Sequence, residues 1–578
     1  MMKKRTNYVR LRILILGLTF LVCFILIGGK ALKLQIYEGS DLIRKATNQV
    51  EDSLKTVGKR GTVFDRRGHE MAVSIDVASI AARPKAVKNL DATVRELSAV
   101  LKKKPQEVKE RLASAKPFVW VKRQVTPKEA DAVRNLRLSG LEFVAESNRF
   151  YPNRNLAAHV LGFTGMDGKG MEGIEYFYDR HLKGTEMSVK VLKDARGNGF
   201  QTDQPADSET AGKNVVLTLD RGIQFITETA LNDAVASSRA RSGMAVVMEP
   251  RTGAILALAL APTFNPNAYE DAKKPLWRNR AVTDPFEPGS IMKIFVAAAA
   301  LDSTDLSPQT TFNCENGAYR IGKYTVHDVH RYGVLSLQDI VKFSSNIGAA
   351  KIGGKIGPEK LHQALRQFGF GQKTGIDSPA ETAGMLMHFK KWADIDTAAI
   401  SFGHGISVSA VQLVAAVSAI ANEGVLMKPR LVQAITDSHG QIVQQFEPEE
   451  VRQAISAQTA RTVKEIMQTV VLPGGTGVQA SLEGYSAGGK TGTARKIDEN
   501  GQYANDRHLA SFVGFAPAEK PQIAVLVVID EPKGQIYGGA VAAPVFRKIA
   551  QTTPNYLNVP PRTATEKLRV SIDSRDRG

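Results

Sequence analysis

The apolar positions of this chain begin as one unbroken block. Ile13 to Gly29 contains seventeen residues without a charge, preceded by Lys3, Lys4, Arg5, Arg10 and Arg12 and followed by Lys30. As a helix the block spans roughly 26 Å at about 1.5 Å per residue, near the lower limit for crossing a bilayer. Arg12 and Lys30 can snorkel at its two ends, and basic residues on the N-terminal side place that end in the cytoplasm and everything after it outside. A cleaved secretory signal competes, since Gly29-Lys30-Ala31 is faintly small-x-small. The length of the block and its amphipathic continuation, Ala31 to Ile43, favour an uncleaved anchor in the cytoplasmic membrane.

Beyond Val57 the pattern changes. Lys59 to Gly68 reads as a strand and turn, Met71 to Ala82 alternates as a strand, and Leu90 to Leu112 carries two short helical patterns around Pro105. A polar linker, Gln201 to Lys213, follows. Val215 to Leu219 then predicts a strand, and Ile223 to Ser238 a helix. Met244 to Glu249 and Ala254 to Leu260 predict a hairpin around Pro250-Arg251-Thr252-Gly253. A second hairpin, His508 to Ala516 with Gln522 to Ile529, precedes a closing helix at Val541 to Ala550. Strands from both ends with helices between them predict one antiparallel sheet covered on both faces, a mixed α/β (α+β) domain. The expected organisation is therefore a tail at 1–12, a membrane helix at 13–30 and a juxtamembrane stretch at 31–56. An α+β module at 57–210, a second domain at 214–556 and a polar, disordered tail at 557–578 follow.

Composition narrows the class. At 578 residues two or three domains are expected, and 43% hydrophobic with 23% charged residues indicates real cores. The formal charge of +18 raises the question of nucleic acid. Its Lys and Arg are spread along the whole chain without a nucleic-acid motif, so a basic domain beside anionic lipid and polymer explains the charge better. Cys23 and Cys314 are too far apart in character to suggest a disulfide framework. His327, Asp328 and His330 lack further partners at ligand spacing and read as solvated loop residues, so neither a metal nor a cofactor is expected.

The candidate chemistry starts at Phe286-Glu287-Pro288-Gly289-Ser290-Ile291-Met292-Lys293, followed by an alanine-rich apolar run. Pro288 and Gly289 end what precedes, so Ser290 begins a buried helix and Lys293 lies on the same face at i+3. A lysine in an apolar pocket loses proton affinity and can act as base for the hydroxyl. A capping serine with a surface lysine is the plainer alternative, although no other serine in the chain precedes a lysine by three. Two further stretches decide between them. Ser344-Ser345-Asn346 separates the helical patterns Leu337 to Phe343 and Ile347 to Ile356, and Lys490-Thr491-Gly492-Thr493 follows the flexible Ala487-Gly488-Gly489. Serine nucleophile, Ser-x-Asn and Lys-Thr-Gly in this order form the set found in penicillin-binding proteins and serine β-lactamases.

On those residues the chain resembles the class B penicillin-binding proteins, membrane-anchored peptidoglycan D,D-transpeptidases, and most closely their division-specific branch. The resemblance implies that 57–210 is the pedestal typical of the class, carried by Arg60-Gly61, Asp65-Arg66 and Gly170 to Glu175. The charged residues there are expected in ion pairs holding the module together. The resemblance also implies roles: Ser290 as nucleophile, Lys293 as base, Ser344 as proton relay, Asn346 and Lys490 completing the catalytic set. Thr491, Gly492 and Thr493 would line the substrate, with the N–H groups of Ser290 and Thr493 as the oxyanion hole. Gly492 would keep the strand slim enough for a peptide to pair along it. His404, between Gly403 and Gly405, borders the expected site. Implied partners are peptidoglycan stem peptides, β-lactams as inhibitors, a membrane glycosyltransferase of the SEDS type and other division proteins. Ile291 and Ile294 replace the threonine and proline common after nucleophile and lysine. The elongation-specific branch is the runner-up, and a non-catalytic scaffold is disfavoured by the intact triple. A second Lys-Thr-Gly, Lys373-Thr374-Gly375, sits among glycines and a proline and is expected in a loop.

Overall fold

An apolar helix, Met2–Leu32, opens the chain; the computed structural model describes residues 2–42, 51–193, 199–201, 210–497 and 501–561. Most of the 201–213 linker, residues 43–50 of the juxtamembrane stretch and the tail beyond 561 lie outside the described residues. Among the described residues, one helical segment, Tyr8–Tyr37, is long and apolar enough to cross a membrane. The expected continuation past Ala31 is a π-helical turn, Lys33–Tyr37, closed by the Glu38 N–H on the Lys33 carbonyl at 2.9 Å. This helix belongs to a first compact unit that also contains a three-stranded antiparallel sheet, in which Glu51–Val57 pairs with Glu186–Lys193 and that strand with Gly199–Gln201.

The second compact unit joins Arg60–Lys183 to the residues from Gly212 onward. Its strands in chain order begin with β1 (Val63–Phe64), β2 (Glu70–Ala82), β3 (Val119–Val125), β4 (Leu141–Phe150) and β5 (Asn214–Leu217). The long β2 pairs antiparallel with β1, β3 and β4, and β1 pairs parallel with β5. β5, expected to open the second domain, thus shares a sheet with the pedestal strands. The Val215 N–H donates to the Thr62 carbonyl at 2.9 Å, and the Thr62 N–H donates to Asn214 Oδ1 at 2.8 Å. Helices α1 (Leu90–Leu101) and α2 (Pro105–Leu112) bury Val94, Leu97, Leu101, Val108 and Leu112 against Ile80, Val121 and Val125. Helical spacing of those positions gives each helix its one apolar stripe.

The charged pedestal residues pair with each other. Glu175, fully buried, bridges Arg60 Nε and Arg149 Nε, each at 2.6 Å, and Arg60 also reaches Asp179 at 2.6 Å. The buried carboxylate thereby pairs two buried guanidinium groups.

The five-stranded sheet of the second half is built from β6 (Ser242–Met248), β7 (Ile255–Ala261), β8 (Gly488–Ile497), β9 (Tyr503–Ala516) and β10 (Ile523–Asp530). Its order is β7-β6-β10-β9-β8, antiparallel throughout, with β8 at the edge. Alternation along the strands splits the core in two. Val246, Leu258, Leu526 and Val528 face the cluster holding helix α3 (Met292–Ser303), which carries Lys293, whereas Ala245, Val247, Val525 and Val527 face the opposite cluster. Under the sheet lies Ala410–Ala421, buried at every position and started by a Ser409/Gln412 capping box.

Candidate active site

Pro288 ends the preceding chain, Gly289 takes a positive φ of 55°, and a single 3-10 turn, Gly289–Ile291, runs into α3. Ser290 sits in that turn and Lys293 one turn on, as the i, i+3 spacing requires. Lys293 is 1% exposed, and its Nζ has four oxygens around it. Two of them only accept: the Ser344 carbonyl at 2.6 Å and Asn346 Oδ1 at 2.7 Å. Two are hydroxyls: Ser290 Oγ at 3.0 Å and Ser344 Oγ at 3.1 Å. Burial, and next the Lys490 cation, hold Lys293 well below the ordinary lysine range. A neutral amine has two hydrogens and one lone pair. In that form the two obligate acceptors would take the hydrogens, and the lone pair would face a hydroxyl.

Ser344 stands where two helices meet. It ends Leu337–Phe343 in a left-handed conformation, φ 66°, with its N–H on the Ile340 carbonyl. Ser345 caps Asn346–Ile356 by accepting from the Gly348 N–H at 2.9 Å. The break turns Ser344 Oγ toward two lysines, Lys293 and Lys490, the latter at 3.0 Å. Asn346 Nδ2 donates to the His327 carbonyl at 2.9 Å, which orients Oδ1 toward Lys293.

Lys490 is fully buried in the edge strand β8, and burial lowers it to about 7. It also touches the Thr491 carbonyl at 3.1 Å and hydroxyl at 3.3 Å. Thr491 donates to Thr476 Oγ1 at 3.0 Å, and the Gly538 N–H donates to Thr493 Oγ1 at 3.2 Å. A Cβ on Gly492 would stand 2.3 Å from Ser511 Oγ and 3.1 Å from both Ile291 and the Pro288 carbonyl. The missing side chain thus lets β8 approach the Gly289–Ile291 turn. All the sequence-derived candidates converge here. The second triplet, Lys373-Thr374-Gly375, lies in a loop where Thr374 and Gly375 bond to Glu381.

One expectation fails. Asp328 is not a solvated loop residue: it accepts from Ser345 Oγ at 2.6 Å, from the Ile347 N–H at 3.1 Å and from the Asn346 N–H. A carboxylate at a helix start meets unpaired N–H groups and the positive dipole end. Its side chain comes from a segment 18 residues upstream of Asn346, so no local spacing signals it. Thr476 was also missed, and only its glycine-rich setting, Gly474 to Gly477, hints at a loop near the site. His404 faces Glu287, with Nδ1 2.7 Å from Oε2.

Both halves of the chain are similar to known proteins. The family described as penicillin binding protein transpeptidase domain matches residues 243–551, and that described as penicillin-binding protein dimerisation domain matches 55–217. A probable peptidoglycan D,D-transpeptidase PenA of Neisseria meningitidis is 36% identical over 97% of this chain and 94% of its own length. The peptidoglycan D,D-transpeptidase FtsI of Escherichia coli is 33% identical over 97% and 95%. The crystal structure of penicillin-binding protein 3 from Mycobacterium tuberculosis with aztreonam superposes with a TM-score of 0.69 at 28% identity, covering 88% of this chain and 98% of that one. With both domains matched and relatives aligned almost end to end, the chain belongs to the class B penicillin-binding proteins, the serine peptidoglycan D,D-transpeptidases.

Proposed function

We propose that the chain cross-links stem peptides during septal wall synthesis, with Ser290 as its nucleophile, held outside the cytoplasmic membrane by the N-terminal helix. The observation that carries the chemistry is Lys293 Nζ, buried and 3.0 Å from Ser290 Oγ. Ser290 Oγ attacks the carbonyl carbon between two D-alanines while its proton passes to Lys293. The carbonyl oxygen becomes an oxyanion received by the N–H groups of Ser290 and Thr493; one lost donor of this kind costs ~10²–10³ in rate. Ser344 gives its proton to the departing D-alanine amine and is resupplied through Lys293 or Lys490, both in hydrogen-bond reach. The C–N bond breaks, leaving an ester on Ser290. The amine of a second stem then attacks that ester, and the reverse proton path frees Ser290 and leaves the cross-link. Thr491 and Thr493, on one side of the edge strand, meet the substrate carboxylate.

Five basic residues before the membrane helix support an N-terminus in the cytoplasm and a catalytic half outside. The septal assignment rests on the pedestal stretches of the division branch, and its partners would be a SEDS-type glycosyltransferase and other division proteins. A fluorescent fusion concentrated at the septum supports it; a fusion spread along the side wall assigns the chain to elongation. For the chemistry, purified chain should join two stem peptides with release of D-alanine, and Ser290→Ala should not. Cross-linking by Ser290→Ala would overturn the assignment.

A further inference from the structure

Three distant segments meet beside the nucleophile turn without any group that the reaction uses. Glu287, three residues before Ser290, is mostly buried and receives three donors. The Gly405 N–H reaches Oε1 at 2.9 Å, Tyr503 Oη lies 3.1 and 3.2 Å from the two oxygens, and His404 Nδ1 lies 2.7 Å from Oε2. His404 Nδ1 is also 3.1 Å from Tyr503 Oη, and the two rings stand edge to face at 5.0 Å. Tyr503 begins β9 and pairs with Ile497 at the end of β8. Burial, and next the Glu287 carboxylate, push the Tyr503 phenol up, so it stays a donor.

Glycines bring the backbones together at the same place. The Gly289 N–H donates to the Gly403 carbonyl at 3.2 Å, and a Cβ on Gly403, at φ 89°, would stand 2.0 Å from the Gly289 carbonyl oxygen. On the other side, a Cβ on Gly289 would meet the Thr493 carbonyl at 3.2 Å and Ala494 Cβ at 3.3 Å. The nucleophile turn is thus pressed between the 403–405 turn and β8. At the far end of the β8–β9 hairpin Lys496 pairs with Asp530 and Glu531, on the β10 side, and the Glu287 carboxylate ties Tyr503 to the segment that carries Ser290.

We propose that Glu287, His404 and Tyr503 form a latch that sets the position of β8 against Ser290, and so the geometry between nucleophile and oxyanion donors. They are positioning residues. This rests on the reading of Ser290 as nucleophile and adds to it a way of holding the cleft. A misplacement of about 1 Å in such a geometry is enough to slow a reaction by up to ~10²-fold. The latch therefore acts on the acylation step more than on the encounter with ligand.

The test is stopped-flow acylation of the full chain in detergent by a fluorescent penicillin, over concentrations that separate the dissociation constant Ks from the acylation constant k2. Tyr503→Phe and Glu287→Gln should each lower k2 by about tenfold and leave Ks within about twofold. The double variant should be no slower than the slower single one, because both break one latch. His404→Asn, whose amide N–H can replace Nδ1–H, should stay within about threefold in k2, and His404→Leu should fall with Glu287→Gln. Tyr503 is 43% exposed, so Tyr503→Phe keeps the test valid if Glu287→Gln fails to fold. A k2 within twofold of wild type in Tyr503→Phe, or losses that multiply in the double variant, overturns the latch. Wild-type chain that is not acylated at Ser290 instead overturns the reading beneath it.

Discussion

Lys490 Nζ lies 3.0 Å from Ser344 Oγ, across 146 residues of chain. The contact joins the edge strand to the break between two helices, and Ser344 in turn touches Lys293 at 3.1 Å. Two lysines thus share one hydroxyl, both of them buried and both held below the ordinary lysine range. The Lys490 cation makes Lys293 more easily neutral, whereas burial alone lowers Lys490.

That contact separates the two Lys-Thr-Gly triplets. Lys490→Ala should lower the penicillin acylation rate by orders of magnitude, whereas Lys373→Ala, on an exposed loop residue, should stay within a few-fold. Acylation kinetics of both variants, with folding checked by thermal melting, decide. Equal losses would place the third motif wrongly.

Buried Lys490 also predicts a pH dependence of stability. Its folded value is about 7 against an ordinary 10.5, so between those values the unfolded chain binds a proton that the folded chain does not. Stability attributable to this group therefore rises with pH across that window, and the burial penalty is complete below pH 7. Lys490→Met removes the penalty at every pH. Wild type should gain on Lys490→Met by about 2–3 kcal/mol between pH 7 and 9. Urea melts of both chains at each pH check this, and a constant difference would contradict it.

Asp328 couples stability to catalysis. Asp328→Asn keeps the shape and weakens charge-assisted bonds to Ser345 and to the start of the helix carrying Asn346. A loss of ~1–2 kcal/mol is expected from the damaged cap, together with slower acylation, because Asn346 holds the orientation of Lys293. A variant that melts early yet acylates at the wild-type rate would confine Asp328 to the fold.

The pedestal cluster makes the opposite prediction. Glu175→Ala leaves Arg60 and Arg149 buried without their shared carboxylate, which destabilises by about 3–5 kcal/mol. The folded fraction should still take up penicillin at the wild-type rate. Thermal melting alongside acylation separates the two effects.

The elements legible in sequence were those fixed by local chemistry. The helices expected at Leu337 to Phe343 and Ile347 to Ile356 are observed at Leu337–Phe343 and Asn346–Ile356, because the Ser344-Ser345 break supplies both a cap and a stop. Both hairpins and the edge placement of Lys490 follow from alternation and glycine position. Contacts made across the chain left no such trace. Asp328 caps a helix from outside its own segment, Thr476 bonds Thr491 from a glycine loop, and β1 pairs in parallel with β5 over some 150 residues. Parallel pairing and remote caps need only ordinary residues at each end, so neither end announces the other.

The proposed chemistry turns on acylation of Ser290. Full-length chain should be incubated with a penicillin, digested, and the adduct located by peptide mass spectrometry. One penicilloyl group is expected on Ser290, absent from Ser290→Ala. An adduct on another serine, or undiminished labelling of Ser290→Ala, would contradict it.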